Sequence, residues 1–175
     1  MNVELFGQCS SFEHLKPGAV FRFSGAADEP GHQHLALKVS SAEKRGRVAR
    51  VLIDPGHPGW RGQPSVRPSP VGGADPVFHL NTATFRPSLK GEDWLLSADA
   101  PYDAGDVVVA DGRAFLVAGF GSHEQGETSL LLIDLLTGQF QTTVNVQAVV
   151  RIWSIVIPVD GRPVVLFQRK PPTAT

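Results

Sequence analysis

His32-Gln33-His34 is the tightest pairing of metal-capable side chains in the chain. On a strand, residues two apart project from the same face, so His32 and His34 have the spacing with which a β-framework starts a metal site. Lys44, Arg45, Arg47 and Arg50 form the one dense basic cluster, the kind of group that neutralises phosphates. Trp60 and Arg61 sit among Pro58, Gly59 and Gly62. An amphipathic ring with so little apolar sequence around it must fold back onto the framework or meet a partner, and it is the expected partner-binding contact. Cys9 and His14 have the residue types of a thiolate and its base. Such a pair also needs an orienting group and an oxyanion site, so Cys9 reads first as a small buried hydrophobe.

The two histidines resemble the opening of a cupin motif, and that resemblance implies a metal-dependent β-barrel enzyme using His32 and His34. The carboxylate position that follows in such a motif falls on Lys38 or Val39, neither of which binds metal in this setting, and Glu43 comes later. No Gly-x-Ser-x-Gly elbow, P-loop or Gly-x-Gly-x-x-Gly fingerprint occurs in the sequence. Gly119-Phe120-Gly121-Ser122-His123 comes nearest and lacks the lysine and the following helix that phosphate binding requires. Asp99, Asp103, Asp106 and Asp111 lie close together without calcium-loop spacing and read as turn residues.

The elements that must carry these residues are strands. Gly 18 and Pro 14 among 175 residues punctuate short β-branched runs, which argues for an all-β protein. Ser10 to Glu13 has helix-start spacing, but Pro17-Gly18 limits it to about one turn. Ala19, Phe21 and Phe23 share one face of a strand, and Leu35, Leu37 and Val39 share one face of another, both with the period of half-buried strands. Leu35 to Ile53 reads as a hairpin closed by the charged run from Glu43 to Arg47. From Asp54 to Pro76, 11 of 23 residues are Pro or Gly, which predicts a long loop or linker. Asp111-Gly112 between two apolar runs is a type I′ hairpin signal. Thr137-Gly138, joining Thr128–Leu136 to Gln139–Gln147, and Asp160-Gly161, joining Ala148–Val159 to Arg162–Gln168, predict two more. Trp153 falls in the longest apolar run and reads as core.

Two stretches repeat in order and chemistry. Leu15-Lys16-Pro17-Gly18-Ala19-Val20-Phe21 matches Tyr102-Asp103-Ala104-Gly105-Asp106-Val107-Val108, and Val51-Leu52-Ile53-Asp54 matches Leu131-Leu132-Ile133-Asp134. The expected architecture is all-β, one or two small antiparallel barrels, SH3-like or OB-like, with an internal duplication as one reading and a single sandwich or barrel of nine or more strands as the other, since any two β meanders share such turns. The units are residues 1–54 and 79–168, joined by a Pro/Gly-rich segment over 55–78 and followed by a flexible tail over 169–175.

Composition narrows the function. With 16 Lys+Arg against 17 Asp+Glu the chain has no global field to collect nucleic acid or anionic lipid. One cysteine excludes a disulfide framework within the monomer, and the start lacks a secretory pattern. The longest apolar run, Ala148–Pro158, is interrupted by Arg151 and Ser154 and falls short of the ~18 residues that cross a bilayer. These features lead to the expectation of a cytoplasmic, non-enzymatic binding or assembly module without cofactor. It would contact a protein partner or itself through Trp60 and Arg61 or through an unpaired strand edge. The alternatives are the cupin-like enzyme and a weak nucleic-acid binder using Lys44, Arg45, Arg47 and Arg50.

Overall fold

In the computed structural model, which describes residues 7–23, 35–40, 49–53, 64–68, 76–88, 90–97, 99–120 and 129–169, the chain is all-β. The strands are β1 (Gln8–Ser11), β2 (Val20–Phe23), β3 (Ala36–Val39), β4 (Ala49–Leu52), β5 (Ser65–Pro68), β6 (Pro76–His79), β7 (Thr84–Pro87) and β8 (Trp94–Leu95). They continue with β9 (Val107–Ala110), β10 (Arg113–Phe120), β11 (Ser129–Asp134), β12 (Phe140–Gln141), β13 (Ala148–Val150), β14 (Trp153–Val159) and β15 (Arg162–Arg169). Two 3-10 turns, Phe12–His14 and Gly91–Asp93, are the helical elements among the described residues.

The turn chemistry sets the hairpins. Asp111 and Gly112 have φ of 50° and 71°, and Asp160 and Gly161 have 49° and 72°, the left-handed pair that a two-residue hairpin loop demands. They join β9 to β10 and β14 to β15 as expected. The β3–β4 hairpin also forms. β11 turns back on β12 through a wider loop, because the Asp134 carboxylate accepts the amides of Leu136 and Thr137 at 2.8 Å each. The return strand covers only Phe140–Gln141.

Several expectations change. The described ladders form an open twelve-stranded sheet and a three-stranded sheet, β15-β14-β7, and neither closes into a barrel. The ends of β3 and β10 bond the other half of the chain, at Gly138 and Pro64. The 55–78 stretch, expected as loop or linker, contains β5 and all but the last residue of β6. Their buried Val66 and Val77 face the core, while Pro68 and Pro76 stand at strand ends, where a missing amide costs no ladder bond. Ala148–Val159 is two strands: β13 pairs with β9 in the large sheet and β14 with β7 and β15 in the small one. β3 is buried along its whole length, because the turn at Phe12 covers its second face. The helical turn begins at Ser11 without side-chain capping; the Ser11 hydroxyl instead meets His14 Nδ1 at 2.8 Å. Arg169, placed in the tail by the sequence, is buried.

One pairing pattern occurs twice. β2 pairs with β3 and β6, β3 with β4, β4 with β5, and β6 with β1; β9 pairs with β10 and β13, β10 with β11, β11 with β12, and β13 with β8. The registers agree: Val20 faces Leu37 where Val107 faces Leu116, and Phe21 faces His79 where Val108 faces Val149. The contacts between the halves are reciprocal. Ser40 donates to the Gly138 carbonyl at 2.8 Å, and Gly119, its counterpart, donates to the Pro64 carbonyl at 3.0 Å. The β7–β14 ladder maps onto itself, with Phe85 opposite Ile155 at its centre and the pairs Arg86–Ser154 and Thr84–Val156 on either side. This is the isologous arrangement of a two-fold axis, within one chain.

Alternation along the strands builds three apolar clusters. Leu35, Leu37, Val39, Val51 and Val66 meet Val107, Leu116, Ala118, Ile133 and Trp153 in a core shared by both halves. The opposite faces carry separate clusters, Phe12, Leu15, Phe21, Ala36 and Val77 in the first half, and Val108, Phe115, Val117, Leu132 and Val149 in the second.

Candidate functional site

The side chains that the sequence marks for chemistry are placed apart. His32, His34, Lys44, Arg45, Arg47, Trp60 and Arg61 lie outside the described residues. Arg50 is in β4, its backbone between Lys38 of β3 and Arg67 of β5, and its side chain also lies outside the description. Among the described residues no group of three His, Cys, Asp or Glu could hold a metal ion.

Cys9 and His14 both line one groove of about 540 Å³ between β1, the turn that follows it and the β6–β7 connection. That size lies within the ~300–1,000 Å³ range of ligand sites. Cys9 is exposed rather than buried, because its strand is the edge of the large sheet. His14 is engaged by Ser11 on one side, and its Nε2 lies 3.8 Å from the Glu13 carboxylate. His79, on the groove floor, has its pKa lowered by burial, which favours the neutral imidazole.

The groove wall is fixed from below. Lys38 Nζ donates to the carbonyls of Phe12, Glu13 and Leu15 at 2.7, 3.1 and 2.6 Å and lies 4.9 Å from the Phe12 ring centroid. Three charge-assisted bonds hold the turn that carries His14 and Leu15 to the groove. Burial lowers the Lys38 pKa, and the Glu13 carboxylate opposes that shift.

The second half has the same place, filled. Gly105 is the counterpart of Gly18, and both take positive φ, 100° and 87°. Trp153 Nε1 donates to the Gly105 carbonyl at 2.8 Å, and its ring is flanked by Phe85 and Phe167 with centroids 5.2 Å away on each side. Arg169 Nη2 donates to the Ala104 carbonyl at 3.2 Å and lies 3.8 Å from the Asp106 carboxylate. Its guanidinium occupies the direction a Cβ on Gly105 would take, 2.6 Å from Cζ, and the φ of 100° itself favours glycine there. Burial raises the Asp106 pKa, opposed by the Asp103 amide and by Arg169. In the first half Ala83 stands where Trp153 does, and the space it leaves belongs to the groove. No sequence signal announces this, since the groove arises from a difference between two residues without shared chemistry.

The chain matches no family model, no curated protein and no solved structure.

Proposed function

We propose that the chain is a non-enzymatic binding or assembly module of two tandem SH3-like units, acting through protein–protein contacts. The tandem reading is supported by the repeated strand order and register, and the SH3-like reading by a meander whose last strand returns to the first, β6 to β2 and β13 to β9. The observation that carries the function is β15. It is eight residues long, it pairs with β14 alone among the described strands, and Val164 and Val165 are 42% and 55% exposed. An edge with free backbone donors and acceptors and apolar side chains accepts a strand from another polypeptide.

A second copy of the chain is the first partner to test, by sedimentation velocity over a concentration series, followed by capture of partner proteins. Val164→Lys and Val165→Lys together are expected to abolish whichever association the wild type shows. Association that survives both substitutions overturns the assignment to β15.

A further inference from the structure

We propose that the first-half groove is a receptor for a tryptophan side chain presented by an extended segment of a partner protein. The inference deepens the protein-binding reading and rests on it. The second half supplies the template. There an indole lies in one apolar cluster with Val107 and Val150 and donates to the carbonyl of a positive-φ glycine, Gly105. The counterparts of these four residues are Val20, Leu80, Ala83 and Gly18, and all four line the groove. The apolar base of the indole site and its positive-φ glycine are therefore present, the flanking rings of Phe85 and Phe167 have no counterpart in the groove lining, and the indole itself is missing because position 83 is alanine.

The same comparison says what the groove rejects. In the second half a guanidinium lies over Gly105; in the first half the Leu136 carbonyl covers the equivalent direction over Gly18. The seat for a cation is closed by backbone, and the seat for the ring remains. The comparison also supplies a route. β14 receives β15 along one edge and β7 along the other, and the two-fold relation makes the outer edge of β7 the counterpart of the edge that β15 occupies. A segment lying along β7 would bring its ring past Ala83 towards Gly18. Trp is the residue type suited to this, since it combines a large apolar face with one donor.

N-acetyl-tryptophanamide is the probe, followed by methyl NMR shifts of Val20, Leu80 and Ala83. Saturable shifts at these methyls are expected, with N-acetyl-argininamide and N-acetyl-leucinamide weaker by at least about tenfold. Ala83→Trp, which copies the second half, should fill the groove and abolish the shifts. Should that variant not fold, Ala19→Phe on the groove wall replaces it with the same expectation. No saturable shift in the wild type, or equal binding by a folded groove-filled variant, overturns the proposal. Binding that emerges only after Trp60→Phe would make the chain its own occupant and overturn the assignment to a partner. The β15 variants should leave tryptophanamide binding intact, so loss of the edge function and loss of the groove are read separately.

Discussion

Lys38 and Val117 hold the same ladder position in the two halves, and both are buried. Val117 needs only apolar neighbours, whereas Lys38 satisfies three carbonyls of one turn. Lys38→Met leaves those acceptors without their donor, and a loss of about 1–3 kcal/mol is expected in urea unfolding. Amide exchange should quicken over residues 12–15 and stay unchanged over 99–104. Two titrations have opposite senses. Asp106 is raised by burial, so the folded state binds its proton more readily; stability from this group is present below the ordinary aspartate range and is lost as pH climbs through the raised value. His79 is lowered by burial, so the unfolded chain takes the proton first, and stability falls as pH drops from the ordinary imidazole range towards the lowered value. Urea midpoints measured across pH should lose the first slope in Asp106→Asn and the second in His79→Gln. These environments were not legible in the sequence: Asp106 reads as one more turn aspartate, yet it is buried and its charged neighbour Arg169 lies far along the chain.

At the level of elements, the turns were the readable part. Asp111-Gly112 and Asp160-Gly161 impose positive φ locally, and that requirement is visible in two letters. The strand partners are settled at long range. The repeat in the sequence aligns Val51 with Leu131, but the ladders place Val51 opposite Leu37 and Ile133 opposite Leu116, so the true counterpart lies two residues on. A slip of two preserves which face each side chain points to, and alternation cannot detect it. Ala148–Val159 hides its division for a related reason, since both pieces are apolar and only the tertiary fold assigns them to different sheets. Glycines test how much each turn is constrained. A Cβ at Gly161 meets nothing within 4 Å, so Gly161→Ala should cost only about 1 kcal/mol of left-handed strain. At Gly138 it would lie 2.5 Å from the Gly18 nitrogen and 2.7 Å from the Lys38 carbonyl oxygen. Gly138→Ala should cost a further ~1–3 kcal/mol as neighbouring backbone is forced aside. Thermal unfolding of the two variants side by side checks the ranking.

Across the whole molecule, the largest apolar cluster belongs to neither half alone. Leu37 and Val51 share it with Leu116, Ile133 and Trp153. Residues 1–88 expressed alone should therefore show no cooperative thermal transition by calorimetry, because one wall of their core is missing. A sharp transition in that fragment would show that the shared cluster is dispensable. The all-β class followed from composition and period, but the sharing of one interior by residues of both halves did not, since hydrophobic positions do not say whose hydrophobic positions they meet.

The reciprocal bonds at Ser40–Gly138 and Gly119–Pro64 resemble those between identical subunits, yet they join one polypeptide. In a homodimer every replacement is made twice, so a bulky ring that sealed one cleft would seal both. One polypeptide that carries the pattern twice escapes that coupling: Trp153 can brace the structure on one side of the axis while Ala83 leaves a vacancy on the other. Each copy of the pattern is then free to be filled differently from the other.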